Sequence, residues 1–428
     1  MWLRKIFNLY ELRKNQWLKP SELQRIQGKK LRAIIKHAYS TVEFYHKKFN
    51  AAGIKPDDIR TIEDLPKIPV TTKSEIRNGV RTEKILSKNR NPSKCHFERT
   101  GGSAGEPLDV IYDEKAVDFQ KAVAVRSFLE IGVGFRDKWV VITTPQRTRM
   151  QKQWFQILRI LSPTYLSVFD PVEHQVSVIK KLNPKVIAAY TSSLWLLAKA
   201  MREKRIDSIR PEVVYTSAEV LTDETRKFIN DTFDLEIFDM FGCAEVGRSA
   251  WECAEHVGYH MDVDALAMEF VKDNEHVASG EMGRLLYTSL YNYAMPLIRY
   301  DVGDMCVPTD ELCPCGRGLP LIKHIEGRRD DLVVTPEGRI LSPHIFGIIM
   351  REIPGIVQYR IIQETKSEFV VQLVKSYDFS PRAAIQAENG LRGVLGKEVE
   401  IKIEFVKKIP KDKAGKLRFL ISKVNVEW

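Results

Sequence analysis

The sequence predicts an α/β protein with a large N-terminal layered domain of mostly parallel sheets and a small C-terminal α+β domain. Strand and helix patterns alternate through the middle of the chain, which is typical of parallel sheets covered by helices. After Gly327 the pattern changes to short strands with turn residues. A chain of 428 residues also exceeds what one hydrophobic core usually serves. We therefore predict two domains, residues 1–327 and 328–428.

Helices are predicted to dominate the first hundred residues. Apolar side chains recur at helical spacing over 31–49, and the run Thr72-Lys73-Ser74-Glu75 has the composition of a helix start. The alternating region follows, with strands predicted over 139–143, 186–190, 213–215 and 236–238, and helices over 172–181, 194–204 and 223–233. In the C-terminal domain, strands are predicted over 358–363, 369–375 and 399–405, and a helix over 382–395.

Composition narrows the classes of partner. The net charge is +10, but the basic residues are interleaved with 56 acidic ones and form no block, so we expect no nucleic-acid partner. A zinc-stabilised nucleic-acid-binding protein is the rival class, and it explains neither the glycine loop nor the carboxylates described below.

The first residues contain no secretory signal, and no apolar run is long enough to span a bilayer, which predicts a cytoplasmic protein. The first helix has an apolar side made of Trp2, Leu3, Ile6, Phe7 and Tyr10. This side could pack on the protein body or lie at a membrane interface, and we favour packing.

A loop rich in glycine and hydroxyls follows Arg99. Glycines let the backbone approach a ligand, and successive amides with two hydroxyls supply donors to anionic oxygens, so the loop is a candidate phosphate cradle. An ordinary surface loop is an equal alternative, because neither a P-loop nor a dinucleotide fingerprint is present. The candidate phosphate-binding residues are Thr100, Gly101, Gly102, Ser103 and Gly105.

Four later segments carry chemistry. Ser217-Ala218-Glu219 follows a predicted strand, at the edge where α/β sheets bind ligands. The segment from Asp239 through Phe241 and Gly242 to Glu245 offers an aromatic face for a base and a carboxylate for Mg²⁺. Asp304 follows a glycine turn and could accept both hydroxyls of a ribose. Lys416 lies on a glycine-containing turn as a mobile positive charge.

Taken together and in this order, these segments resemble the motifs of the adenylate-forming superfamily over nearly the whole chain. The loop over 100–107 resembles its phosphate loop, and 241–245 its aromatic-Gly-x-Thr-Glu motif. Residues 300–304 resemble its Tyr-x-x-Gly-Asp motif, 327–331 its Gly-Arg-x-Asp-Asp hinge, and Lys416 its C-terminal catalytic lysine. Within that superfamily the chain is most similar to the branch of phenylacetate-CoA ligases, CapK-like proteins and coenzyme-adenylating synthetases. The resemblance rests on the compact length and on the segments 44–45, 64–66, 72–73 and 313–317. It departs from the pattern at Ala244, where Thr is usual, and at Glu106, where Lys is common.

The resemblance implies an enzyme that converts a carboxylic acid and ATP·Mg²⁺ to an acyl-adenylate and then transfers the acyl group to CoA. The alternative is a ligase that makes an amide, an ester or an AMP adduct without CoA. Lys416 and Glu245 would be catalytic, with Glu245 holding Mg²⁺. The smaller domain would move as a lid about Asp330. The nucleotide would contact the phosphate loop together with Ser217, Ala218, Glu219, Asp239, Phe241, Gly242, Asp304 and Arg328. The acid and the oligomeric state, including a homodimer, stay open.

A separate set of residues has the chemistry of a structural zinc site. Cys253, His260, Cys313 and Cys315 provide three thiolates and an imidazole, which suit a closed four-coordinate Zn²⁺. The competing ligand is His256. Ordinary buried cysteines are the alternative, since Cys is among the most buried residue types. The branch resemblance favours the metal.

Overall fold

The computed structural model describes residues 2–99, 108–145, 156, 159–351, 353–377, 379–412 and 415–424. They belong to two units that interleave along the chain: Met1–Gly134 with Phe238–Ile325, and Phe135–Ile237 with Glu326–Trp428. The predicted division into domains 1–327 and 328–428 stays a prediction.

Helices open the first unit, as predicted. The predicted helix over 31–49 is two helices, because Val42 between them is extended, with φ −117° and ψ 110°. The predicted start at Thr72 is confirmed, since the Thr72 hydroxyl accepts from the Glu75 amide at 3.2 Å and the Glu75 carboxylate from the Thr72 amide at 2.7 Å. The helices are α1 (Trp2–Asn15), α2 (Pro20–Thr41), α3 (Glu43–Ala51) and α4 (Lys73–Arg81).

A short hairpin and a long helix complete the first segment of this unit. Strands β1 (Cys95–Arg99) and β2 (Asp109–Asp113) pair antiparallel. They flank the loop over 100–107, which lies outside the described residues. The Asp113 carboxylate then caps helix α5 (Glu114–Glu130) by accepting from the Ala116 amide at 2.7 Å.

The alternating region forms the parallel sheet that the sequence predicts. Its strands have the order β6-β5-β3-β4 and pair in parallel. Residues such as Ile142, Ile187 and Val214 are fully or almost fully buried, because helices cover such a sheet. In chain order the elements are β3 (Trp139–Thr143), β4 (Thr164–Ser167), α6 (Val172–Leu182), β5 (Val186–Tyr190), α7 (Thr191–Glu203), β6 (Val213–Ser217) and α8 (Asp223–Phe233).

The strands that return to the first unit pair differently. They follow the order β11-β10-β12-β13-β14-β9-β8-β7, and pairs such as β7 with β8 and β10 with β12 are antiparallel. The predicted strand over 236–238 begins at Phe238 and continues through the motif to Cys243. The strands are β7 (Phe238–Cys243), β8 (Gly247–Glu252), β9 (Tyr259–Met261), β10 (Leu266–Lys272), β11 (Glu275–His276), β12 (Gly283–Ser289), β13 (Tyr300–Thr309) and β14 (Leu321–Arg328).

The C-terminal residues have the predicted α+β character. A four-stranded sheet of order β19-β18-β17-β20 packs with two helices, around side chains such as Phe346, Phe369 and Leu391. No helix in the described ranges is long and apolar enough to cross a membrane. The elements are β15 (Val333–Val334), β16 (Ile340–Leu341), α9 (Pro343–Arg351), β17 (Ile356–Gln363), β18 (Glu368–Lys375), α10 (Pro381–Leu395), β19 (Glu400–Phe405) and β20 (Leu420–Ser422).

Candidate functional site

The turn between β7 and β8 places Glu245 in the first unit. Gly242 is required there, because a Cβ at this position would lie 2.2 Å from the Gly247 carbonyl oxygen. Gly247 has φ +71°, the left-handed region that favours glycine. Phe241 immediately precedes the bulge in this hairpin. The two glycines thus allow a tight turn that carries the buried Glu245.

Three tyrosine hydroxyls hold this turn. Tyr112 donates to the Ala244 carbonyl at 2.7 Å and Tyr291 to the Val246 carbonyl at 2.6 Å. Tyr300 donates to Glu245 Oε1 at 3.1 Å. These hydroxyls fix the backbone on both sides of Glu245 as well as its carboxylate, so the site is ordered before any ligand enters it. The sequence indicated only Tyr300, because the other two tyrosines lie outside any motif.

Two charged groups accompany the Glu245 carboxylate. Lys73 Nζ, at the start of α4, lies 3.7 Å from Glu245 Oε1. Asp304 is buried on β13, just after Gly303, whose φ is +84°. Burial and then the negative charges of Glu245 and Asp304 raise the pKa of the Cys243 thiol far above its ordinary value. Both carboxylates therefore act electrostatically on Cys243, at the end of β7.

Asp239, at the start of the same strand, bonds within the protein. Its Oδ2 accepts from the Tyr259 hydroxyl at 2.9 Å, and its amide donates to Glu252 Oε2 at 2.6 Å. The two contacts join β7 to β9, which lies beyond β8 in the sheet, and to β8 itself. Asp239 therefore aligns the strand that carries Phe241, and its predicted contact with nucleotide stays a prediction.

In the second unit, Glu219 joins three segments. The loop after β6 contains Ala218 at φ +71°. The Glu219 carboxylate accepts from the Ser192 amide at 2.6 Å and the Ser192 hydroxyl at 3.0 Å, at the start of α7. It also accepts from the Leu417 amide at 3.0 Å. Glu219 thus fastens the segment that carries Lys416.

The turn that carries Lys416 is held by a hydrogen bond within the turn and by a contact with Val168, the residue after β4. Asp412 Oδ1 accepts from the Lys416 amide at 2.9 Å, and Lys411 Nζ donates to the Val168 carbonyl at 2.6 Å. A Cβ at Gly415 would lie 2.3 Å from a Val168 methyl group, so only glycine fits this approach. Residues 413 and 414 lie outside the described residues.

The positive charge of Lys416 acts on the same carboxylate. Burial raises the pKa of Glu219 above its ordinary value, while the hydrogen bonds from Ser192 and Leu417 and the charge of Lys416 oppose that rise. Lys416 is thus close to the loop after β6, where the sequence places nucleotide contacts. The hinge segment approaches that loop too, since a Cβ at Gly327 would lie 3.0 Å from a Val220 methyl group. The charge of Arg328 acts on nearby Asp331, which also pairs with Arg418.

Four side chains of the first unit meet as a candidate metal centre. Their ligand atoms all lie within 4.8 Å of one another: Cys253, His260, Cys313 and Cys315. A tetrahedral Zn²⁺ with bonds of about 2.3 Å to sulfur and 2.0 Å to nitrogen requires separations of about 3.5 to 3.8 Å. The Cys253 and Cys313 sulfurs are 3.5 Å apart, and Cys315 Sγ is 3.4 Å from His260 Nε2. The donor set therefore fits zinc.

The surroundings support the same four ligands. Burial lowers the pKa of His260 to about 4, so the imidazole is neutral, as a metal ligand must be. The Trp251 ring lies 5.1 Å from the His260 ring, and its Nε1 donates to Asp262 at 3.0 Å. The competing ligand His256 is not in the cluster; its Nδ1 lies 3.6 Å from Glu252 Oε2.

The structure therefore groups the described candidates into three sets. In the first unit, Phe241 and Glu245 belong to one hairpin, and Asp304 acts with Glu245 on Cys243 of that hairpin. In the second unit, Glu219 accepts from the amide of Leu417, the residue after Lys416. The four metal ligands form the third set. The phosphate-loop candidates Thr100, Gly101, Gly102, Ser103 and Gly105 lie outside the described residues, so their roles stay predictions. Sequence reasoning missed the anchoring roles of Lys73, Tyr112 and Tyr291.

Known proteins resemble the chain over most of its length. A family described as the CapK C-terminal domain matches residues 333–423. The phenylacetate-coenzyme A ligase of Escherichia coli (strain K12) is 30% identical over 324 residues, covering 73% of this chain and 72% of that protein. Protein CapK of Staphylococcus aureus is 23% identical over 424 residues, covering 95% and 90%.

A solved structure confirms the predicted fold class. The structure of 2-hydroxyisobutyryl-CoA ligase in the postadenylation state, in complex with R3-HIB-AMP, matches with a TM-score of 0.80 at 19% identity. The match covers 96% of this chain and 91% of that one.

Proposed function

Because the chain belongs to the phenylacetate-coenzyme A ligase and CapK branch of the adenylate-forming superfamily, we propose that it activates a carboxylic acid with ATP and passes the acyl group to coenzyme A. In the first step a carboxylate oxygen attacks the α-phosphorus of ATP and pyrophosphate leaves. In the second, the thiolate of CoA attacks the acyl carbon and AMP leaves. The observation that carries the proposal is Glu219, which fastens the Lys416 segment beside the loop where a nucleotide is expected.

The first unit supplies nucleotide contacts in this proposal. Phe241 stacks on the adenine, and the two oxygens of Asp304 accept from the ribose hydroxyls. Glu245 fits a Mg²⁺ ligand, because a buried carboxylate held by Tyr300 presents charged oxygen to a hard cation. When bound, Mg²⁺ neutralises charge on the phosphate oxygens. Lys73, 3.7 Å from the carboxylate, balances its charge before ATP·Mg²⁺ arrives.

The second unit supplies the charge for the reacting centre. Lys416 neutralises the negative charge that develops between the carboxylate and the α-phosphate. We propose that residues 328–428 then rotate as a lid about Asp330, which withdraws Lys416 and brings the hairpin of β15 and β16 to the CoA thiol. The Glu219–Leu417 hydrogen bond must break in that rotation, so it stabilises only the first state.

A CoA-independent ligase is the second candidate. The chain resembles protein CapK over 95% of its length, and residues 333–423, which include the proposed CoA-facing hairpin, match the CapK C-terminal family rather than a family named for CoA. In this alternative an amine or hydroxyl takes the acyl group, or the adenylate itself is the product.

One screen tests both candidates. Exchange of labelled pyrophosphate into ATP should depend on one class of acid among aromatic, aliphatic and amino acids. AMP release and thioester formation should then require CoA. Exchange without any CoA-dependent product would favour the second candidate, and no exchange with any acid would contradict adenylation.

Replacing Asp304 with alanine should raise the apparent KM for ATP by about tenfold, because the ribose loses two hydrogen bonds of the charge-assisted kind. The measurement is the ATP dependence of pyrophosphate exchange. Asp310→Ala, at an exposed aspartate farther along the chain, is the matched control and should leave the KM unchanged. An unchanged KM for Asp304→Ala would remove this residue from the nucleotide site.

The purified protein should contain about one Zn²⁺ per chain, bound by Cys253, His260, Cys313 and Cys315 with no open position for water. Since metal binding is coupled to folding, Cys313→Ser or chelation should lower the Tm by about 5 °C or more. Cys95→Ser, outside the cluster, should leave both the zinc content and the Tm unchanged. Elemental analysis and thermal unfolding provide the two measurements. A zinc-free protein of full stability would contradict the site.

A further inference from the structure

Helix α1 exposes most of its apolar side chains to solvent, so the prediction that its apolar side packs on the protein body is wrong. The exposed fraction is 84% for Leu3, 59% for Ile6, 62% for Phe7 and 63% for Tyr10, and Trp17, just after the helix, is 53% exposed. At 3.6 residues per turn the four helical positions, Leu3, Ile6, Phe7 and Tyr10, fall within an arc of about 100°. They therefore form one continuous apolar surface, which we call the α1 stripe.

The opposite side of α1 is fixed to the protein largely by polar contacts. Arg4 Nε and Lys5 Nζ lie 2.7 and 3.4 Å from the Asp118 carboxylate, and Asn15 Nδ2 donates to Asp264 at 3.2 Å. Leu12 is the fully buried apolar residue on this side. A surface helix normally buries its apolar face and exposes its polar one. Helix α1 instead binds the protein through its polar side and exposes its apolar side. The α1 stripe is therefore exposed while the helix is in its folded position.

The α1 stripe differs from the other exposed apolar side chains of the described residues. Those, such as Phe97, Leu312 and Tyr377, are spread singly along the chain. Single exposed apolar residues are ordinary, whereas a contiguous group marks an interaction surface.

The charge around the α1 stripe indicates what it contacts. Helix α1 carries four basic residues and the single acid Glu11. Two of the bases are exposed at the stripe's C-terminal end: Arg13, whose Nε also pairs with Glu130 at 3.1 Å, and Lys14. The whole chain has a net charge of +10. Leucine, isoleucine and aromatic side chains beside lysine and arginine on one helix are typical of helices that lie in a membrane interface. Basic residues there bind lipid phosphates.

We propose that α1 lies flat in the surface of an anionic lipid bilayer, with the α1 stripe among the acyl chains and Lys14 at the headgroup phosphates. A second copy of the chain fits less well. A helix of 14 residues is about 21 Å long, and a face about 10 Å wide offers roughly 200 Å². A stable protein interface needs about 800 Å² per partner. A bilayer has no such minimum and adapts its shape to the helix.

Sedimentation of the full chain with lipid vesicles tests the proposal. We expect little binding to phosphatidylcholine vesicles and strong binding when half the lipid is phosphatidylglycerol, falling as salt rises. Ile6→Ser should lower the partition coefficient at least about fivefold, since a buried apolar side chain is lost. Ile385→Ser is the matched control, because Ile385 is exposed to the same 59% on α10, and it should change nothing. Lys14→Glu should weaken binding to anionic vesicles alone.

The outcomes separate the proposal from its rivals, and none depends on catalysis. The Tm of each variant confirms that it folds, as expected for exposed positions. Absence of binding to anionic vesicles would overturn the proposal, and so would binding that Ile6→Ser leaves intact. Concentration-dependent dimerisation that Ile6→Ser abolishes, in a protein that ignores vesicles, would overturn it in favour of a second copy.

Discussion

Replacing Lys416 with alanine should lower acid-dependent pyrophosphate exchange by at least about a thousandfold, while ATP binding and the fold stay nearly intact. Charge that develops between the carboxylate and the α-phosphate then has no ammonium to stabilise it, and groups of this kind contribute about 10²–10³ in rate or more. Because the ammonium acts only on the transition state, kcat should fall rather than the affinity for ATP.

The structure explains why alanine is a clean replacement here. The Lys416 turn is held by backbone groups, through the Lys416 amide on Asp412 and the Leu417 amide on Glu219. Neither contact uses the lysine side chain, so the turn keeps its conformation. Lys402→Ala is the matched control, since Lys402 is an exposed lysine of the same C-terminal residues and pairs only with Glu404 among the ion pairs described.

A second assay separates the two steps. When the acyl-adenylate is supplied, Lys416→Ala should still form the thioester, because the proposed lid rotation removes this lysine before CoA reacts. Near-normal exchange by Lys416→Ala would contradict the assignment. If Lys416→Ala lost both steps, the role of Lys416 would be to maintain the structure of the lid rather than to act at the reacting centre.

The sequence predicts the fold best where the apolar pattern of a segment matches the burial of its side chains in the folded protein. The strand Val186–Tyr190 and the helix Asp223–Phe233 have the predicted bounds, because apolar runs and caps define both. The antiparallel strands after Cys243 were not predicted. Their buried residues include charged ones such as Glu252, Glu269 and Asp304, which conceal the alternation that identifies a strand.

The candidate site shows the same division. Chain order alone indicated Glu245, Asp304, Lys416 and the four metal ligands, because glycine turns and cysteine spacing are local signals. The residues that hold these side chains in place come from distant parts of the chain. A local sequence pattern therefore cannot include both a site residue and the residue that contacts it. Tyr112 contacts a carbonyl 132 residues away, and Arg126 is buried between Asp262 and Asp264, 136 and 138 residues on.

Replacing Glu245 with glutamine should lower kcat/KM for the acid-dependent exchange by about 10²–10³ and raise the Mg²⁺ concentration needed for half-maximal rate. The amide has the shape of the carboxylate but lacks the charge that holds a hard cation, and metal-assisted charge neutralisation is worth several kcal/mol in such reactions. The measurement is a Mg²⁺ titration of pyrophosphate exchange at saturating ATP.

The structure supplies a control that separates charge from geometry. A glutamine oxygen can still accept from the Tyr300 hydroxyl, which donates to Glu245 Oε1 at 3.1 Å, so Glu245→Gln should keep the turn in place and unfold near the original Tm. Tyr300→Phe removes that hydroxyl and leaves the charge, and should cost about tenfold or less. If the two variants lost activity equally with no change in Mg²⁺ dependence, Glu245 would act by shaping the turn. If Glu245→Gln lost more activity than Tyr300→Phe, and added Mg²⁺ partly restored that activity, the charge of the carboxylate would be needed for the reaction. The glutamine already provides a hydrogen-bond acceptor of the same shape, so shape alone could not explain the loss.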